Sequence, residues 1–105
     1  MASSRRKDLN EILKAVLGSD NVYFQPPEDR RIEYPCIVYE RDEILTKHAD
    51  NLPYKVDAGY KVTYIDYDPD GIVNVRDDLL SIQHSGFDRH FATSGLNHDV
   101  FVIYH

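Results

Sequence analysis

Residues 54–71 read YKVDAGYKVTYIDYDPDG, and the fold turns on how they are read. Tyr54, Val56, Ala58, Tyr60, Val62 and Tyr64 form one alternating set, while Lys55, Asp57, Gly59, Lys61 and Thr63 begin the other. A strand sends successive side chains to opposite faces, so this period of two predicts a long strand over 54–67, packed on one side and wet on the other. The strand runs into Asp66, Asp68, Asp70 and Gly71, a D-x-D-x-D-G spacing that also opens a calcium loop.

Working back from this stretch, YPCIVYE over 34–40 places Cys36, Ile37, Val38 and Tyr39 between Pro35 and the charged Arg41–Glu43, which predicts a buried strand. A hairpin is the shortest connection between neighbouring strands, so the 54–67 strand should return antiparallel to it. Residues 43–53 either extend the first strand or make a long polar excursion with its tip at 49–53. Val22, Tyr23 and Phe24 suit a short strand that Pro26 and Pro27 would end. Before it, Leu9, Ile12, Leu13, Val16 and Leu17 have the one-sided spacing of an amphipathic helix over 4–17, with Ser3 or Ser4 as its cap and Gly18 as its left-handed stop.

Working forward, Val75, Leu79, Leu80 and Ile82 support a second, shorter helix, with Asn74 and Asp77 placed as a capping pair. An extended segment through Phe87, Arg89, Phe91 and Thr93 breaks at Ser94 and Gly95. The strand Val100–Tyr104, apolar on both faces, belongs inside the sheet. The expected fold is therefore α+β: a mainly antiparallel sheet of about four strands, with the N-terminal helix and the second short helix packed on one face.

At 105 residues the chain is read as a single domain spanning 1–105, and 42% hydrophobic with 29% charged residues suits a folded globular protein. A formal charge of -6 argues against a surface built to neutralise phosphates, so no specific nucleic-acid binding is expected. No apolar run approaches the roughly 20 residues of a membrane helix, and the start lacks a signal peptide's apolar core. A cytosolic product without membrane partners is expected, and the lone Cys36 agrees because it has no internal disulfide partner.

Laid on the calcium loop, Asp66, Asp68 and Asp70 take the first, third and fifth positions, Gly71 the sixth and Asp77 the twelfth. Three features oppose the match: a strand enters where that motif has a helix, Pro69 stiffens the fourth position, and Asp77 is shorter than the usual bidentate Glu. The competing reading makes Asp68-Pro69-Asp70-Gly71 a turn, in which Asp caps, Pro presets φ and Gly takes a positive φ. His48, His84, His90, His98 and His105 show no familiar zinc-ligand spacing with Cys36 or with one another. Cys36, inside an apolar run, reads as a core residue. With no nucleophile–base arrangement and no phosphate loop, no catalytic residues and no cofactor are expected. The eight tyrosines suit either ordinary strands or sheet faces that pack only when a partner arrives.

The segments YPCIVYERDEILTKHADNLPYK (34–55), TYIDYDPDG (63–71) and FDRHFATSGLNHDVFVIYH (87–105) resemble the small tail-terminator, or tail-completion, proteins of long-tailed bacteriophages and prophages. The likeness spans about residues 34–105. It implies an α+β fold and a structural, non-enzymatic role: a ring of copies of the chain, typically six, at the head-proximal end of the tail tube. Such a ring stops tube polymerisation and meets the head-to-tail connector or stopper protein. The implied location is the virion tail, after assembly in the host cytoplasm, with DNA passing through the ring. The excursion carrying Thr46, Lys47, His48, Asp50, Asn51, Leu52 and Tyr54 is the expected interface, because an extended polar hairpin reaches a neighbour. Another neck component, such as a head-completion or stopper protein, is the alternative in the same class. A calcium module using Asp66, Asp68, Asp70 and Asp77 is the alternative from another class, and a hydrolase using the same carboxylates would lack a general base or nucleophile.

Overall fold

The computed structural model describes residues 2–26, 31–49 and 58–105. Along the chain it contains α1 (Ala2–Leu17), β1 (Val22–Phe24), β2 (Cys36–Arg41), α2 (Glu43–Ala49) and β3 (Gly59–Asp66). A 3-10 turn at Gly71–Asn74, α3 (Arg76–Leu80), β4 (Ser85–Thr93) and β5 (Leu96–Tyr104) follow. The strands form one sheet in the order β1-β2-β3-β5-β4. Among the described residues, β1 runs parallel to β2 and the other pairs are antiparallel. The α+β reading therefore holds, as a mixed and mostly antiparallel sheet of five strands.

The alternation in β3 decides which face is filled. Tyr60, Val62 and Tyr64 are buried and pair in register with Ile103, Phe101 and Asp99 on β5 and with Arg41, Tyr39 and Ile37 on β2. Leu9 and Leu13 from α1, with Val75 and Leu79 from the α3 region, close over this face. Full burial of each such side chain stabilises the fold by about 1.5–3 kcal/mol, which makes this layer the centre of stability. α1 and α3 thus share one face, as their apolar spacing predicts. The first four residues of the 54–67 strand lie outside the described residues.

Three local expectations change. α1 already runs at Ala2, so Ser3 and Ser4 are helical residues and not its cap, whereas Gly18 ends the helix at φ 77° as expected. Asn74 and Asp77 do not form a capping pair: Asn74 belongs to the 3-10 turn, and Val75 precedes α3 without a side-chain cap bond. Residues 43–49 are neither strand nor extended loop but α2, on the opposite face of the sheet from α1 and α3. Asp42 caps this helix, its Oδ1 accepting from the Leu45 N–H at 3.0 Å. Glu43 in the first turn and Lys47 and His48 in the last complement the helix dipole.

Gly59 makes room for α2. A Cβ there would meet the Leu45 side chain and lie 2.8 Å from the Leu45 carbonyl carbon. At the far side of the sheet, β4 and β5 are joined through Ser94 and Gly95 at φ 53° and 77°, the paired left-handed conformations of a type I′ hairpin turn. The register steps from Phe87 opposite Phe101 to Arg89 opposite Val100, leaving Asp88 as a one-residue bulge in β4.

Candidate functional site

The aspartate loop is a folded turn whose carboxylates serve the backbone. Asp66 Oδ2 accepts from the Tyr64 hydroxyl at 2.8 Å and Oδ1 from the Asp68 N–H at 3.1 Å. Asp68 Oδ1 accepts from the Asp70 N–H at 2.9 Å, and the Asp68 carbonyl accepts from the Gly71 N–H at 3.1 Å, closing the Asp68–Gly71 turn. Gly71 is not at positive φ, contrary to the turn reading. Its small size is needed instead for close approach: a Cβ would collide with the Asp66 carboxylate and lie 3.0 Å from the Tyr64 hydroxyl. Burial first, and then the bond to Asp66, raises the Tyr64 pKa, which holds the phenol as a neutral donor.

Asp77 sits exposed in the first turn of α3. Among the described residues, no three His, Cys, Asp or Glu side chains gather as a metal site. Both oxygens of Asp66 and one of Asp68 accept hydrogen bonds within the turn.

Cys36 is fully buried, and burial followed by the nearby Asp66 pushes its pKa to about 12, which keeps the thiol protonated and inert. His90 Nδ1 lies 2.8 Å from Oδ1 of the buried Asp99. The carboxylate can only accept, so the ring donates, and the pair braces β4 against β5. At the start of β4 the Ser85 hydroxyl bonds the Leu79 and Ile82 carbonyls at 3.0 and 2.6 Å, tying the strand to the α3 region. His98 stacks on Phe91 with ring centroids 4.6 Å apart, and the His48 ring lies 6.1 Å from that of Tyr104.

The tyrosines divide between the two readings. Tyr39, Tyr60 and Tyr64 belong to the core, with the Tyr39 hydroxyl donating to Asn10 Oδ1 at 2.8 Å. Tyr67 is exposed and meets Tyr34 edge to face at 5.4 Å. The core tyrosines therefore belong to the completed fold and do not wait for a partner.

The expected interface is redistributed by α2. Thr46 turns inward, its Oγ1 accepting from the Gly59 N–H at 3.2 Å, while Lys47 and His48 stay exposed on the helix. Asp50, Asn51, Leu52 and Tyr54 lie outside the described residues. The extended hairpin expected at 46–49 is replaced by helix because Asp42 caps the segment and Gly59 accommodates it. The sequence did not single out Ile44 on α2, 79% exposed, or Phe87 and Phe91, 50% and 42% exposed on opposite faces of the edge strand β4. Val73, Leu80 and Ile12 add exposed apolar side chains on the helix layer. The available signal was the pair of phenylalanines within 87–91, but nothing in its period says that β4 ends the sheet among the described residues.

No helix among the described residues is long and apolar enough to cross a membrane. Comparison of the chain with protein-family models, curated proteins and solved structures finds no match in any of the three.

Proposed function

We propose that the chain is a structural subunit of a phage tail that forms a ring, of about six copies, at the head-proximal end of the tail tube. There it stops polymerisation and meets the head-to-tail connector. The observation that carries the reading is the placement of exposed apolar side chains on separate parts of one small molecule: Ile44 on α2, Val73 and Leu80 on the helix layer, and Phe87 and Phe91 on β4. Separate apolar patches suit a protein covered by several neighbours. Two different patches meeting across adjacent copies make the heterologous contact that a closed ring requires. The resemblance over 34–105 supplies the place of that ring, and the net charge of -6 suits a passage through which DNA moves without adhering.

The test is polymerisation of the cognate tail tube protein with and without the chain. Addition of the chain should cap the tubes with a ring of six copies and halt their growth. Ile44→Glu should abolish capping while its circular dichroism and melting stay those of the parent, because Ile44 lies outside the core. Tubes that grow to the same length with or without the chain would refute the reading.

A further inference from the structure

We propose that the free chain pairs with a second copy of itself through the outer edge of β4, antiparallel and two-fold, so that two five-stranded sheets join into one. The proposal goes beyond the ring. A two-fold contact uses the same patch on both copies and closes at two, whereas a ring uses two different patches.

β4 has nine residues, nearly all exposed, and lies at the end of the sheet order. In an antiparallel ladder alternate residues turn their N–H and C=O groups away from the existing neighbour, so the outer side of β4, which no strand among the described residues covers, presents a row of open hydrogen-bonding groups. Proline and lysine, which commonly blunt such edges, are absent from it. The other edge strand, β1, has three residues.

Charge selects a second copy as the occupant. The chain as a whole carries -6, yet residues 79–98 contain one acid, Asp88, and one base, Arg89. Like chains that repel elsewhere can therefore meet here. Both side chains are well exposed, Arg89 at 61% and Asp88 at 42%, and they lie 4.0 Å apart on the same side of the bulge.

One register satisfies every position. With Asp88 opposite Arg89 of the second copy, the symmetry sets Arg89 opposite Asp88, giving two opposite-charge pairs. The same register sets Phe87 opposite His90, on the face where His90 binds Asp99, and Phe91 opposite Gly86 on the other face. Gly86 has nothing within 4 Å of where a Cβ would stand, so a facing phenyl ring has space. Ala92 falls opposite Ser85. Bulge faces bulge, so the extra residue in each strand does not shift the pairing.

Sedimentation of the whole chain at increasing concentration tests the pairing. The parent should show a monomer–dimer equilibrium. Asp88→Arg and Arg89→Asp should each weaken the dimer by roughly tenfold to a hundredfold, since each converts two attractive cross-strand pairs into repulsive ones. The double exchange Asp88→Arg with Arg89→Asp restores opposite charges across the two-fold axis and should recover the parent's dimer, while the melting temperatures of all three variants stay those of the parent, which separates the pairing from a loss of the exposed Asp88–Arg89 pair within each chain. A parent that stays monomeric up to millimolar concentration, or a dimer that both single variants leave unchanged, overturns the pairing. A six-copy species indifferent to all three variants overturns the pairing while leaving the ring intact, and a charge-sensitive dimer that never caps a tube does the reverse.

Discussion

β3 and β4 are strands of nearly equal length in the same sheet, and they sit at opposite extremes of solvation. In β3, Tyr60, Val62 and Tyr64 are covered by helices and flanked by strands on both sides. In β4, Phe87 and Phe91 are of similar size and apolarity, yet they stand half in water because, among the described residues, β4 has a neighbouring strand on one side only. Residue type does not separate the two strands. Position in the sheet order does, and the difference divides the molecule into a region that carries stability and a region open for contact.

That division can be broken most severely with chemistry confined to the buried side. Cys36, the first residue of β2, should react with a thiol reagent at pH 8 on the order of a thousandfold more slowly in the folded chain than in urea, because burial pushes its pKa up to about 12 when folded. The same shift makes stability depend on pH. The folded state holds the thiol proton that the unfolded state loses near pH 9, so the contribution is complete below pH 9 and is lost as pH rises from 9 towards 12. Replacing Cys36 with Ala should remove that alkaline slope from urea titrations.

Leu13→Ala, which opens the α1 layer above the sheet, should cost about 2–5 kcal/mol in a urea denaturation series. Gly71→Ala should cost about 1–3 kcal/mol, since the added methyl must push aside the Asp66 carboxylate that orders the turn. On the open side, Arg89→Ala should leave stability within about 0.5 kcal/mol of the parent and alter self-association alone. A loss at Arg89 comparable to that at Leu13 would erase the distinction between the regions.

Much of this arrangement was legible beforehand, for reasons that can be named. The alternation of Tyr60, Val62 and Tyr64 and the helical spacing of Leu9 and Leu13 are local patterns, and each placed its residues on the correct face. The second helix was also recognised from Val75 and Leu79, although its cap was not. α2 was missed even though Asp42, Glu43 and the Lys47–His48 pair carry its start and stop signals. Seven residues are too few for a periodic stripe to outweigh a preceding strand. The aspartate loop carried both a calcium spacing and the signals of an Asp68–Gly71 turn, and the turn is what forms, with Asp66 and Asp68 accepting from the Tyr64 hydroxyl and from backbone N–H groups that spacing alone does not reveal. The open edge could not be read from β4 at all, since an edge is defined by a strand that is absent beside it.

Amide hydrogen exchange, followed residue by residue at low and high protein concentration, tests the division most directly. Val62 and Thr63 in β3 should be protected equally at both concentrations. Alternate residues of β4 should exchange rapidly in the dilute chain and slow at high concentration, as the outer edge finds a second copy. Protection of β4 that matches β3 in the dilute chain, or an outer edge that stays fast at the highest concentration, would contradict the account.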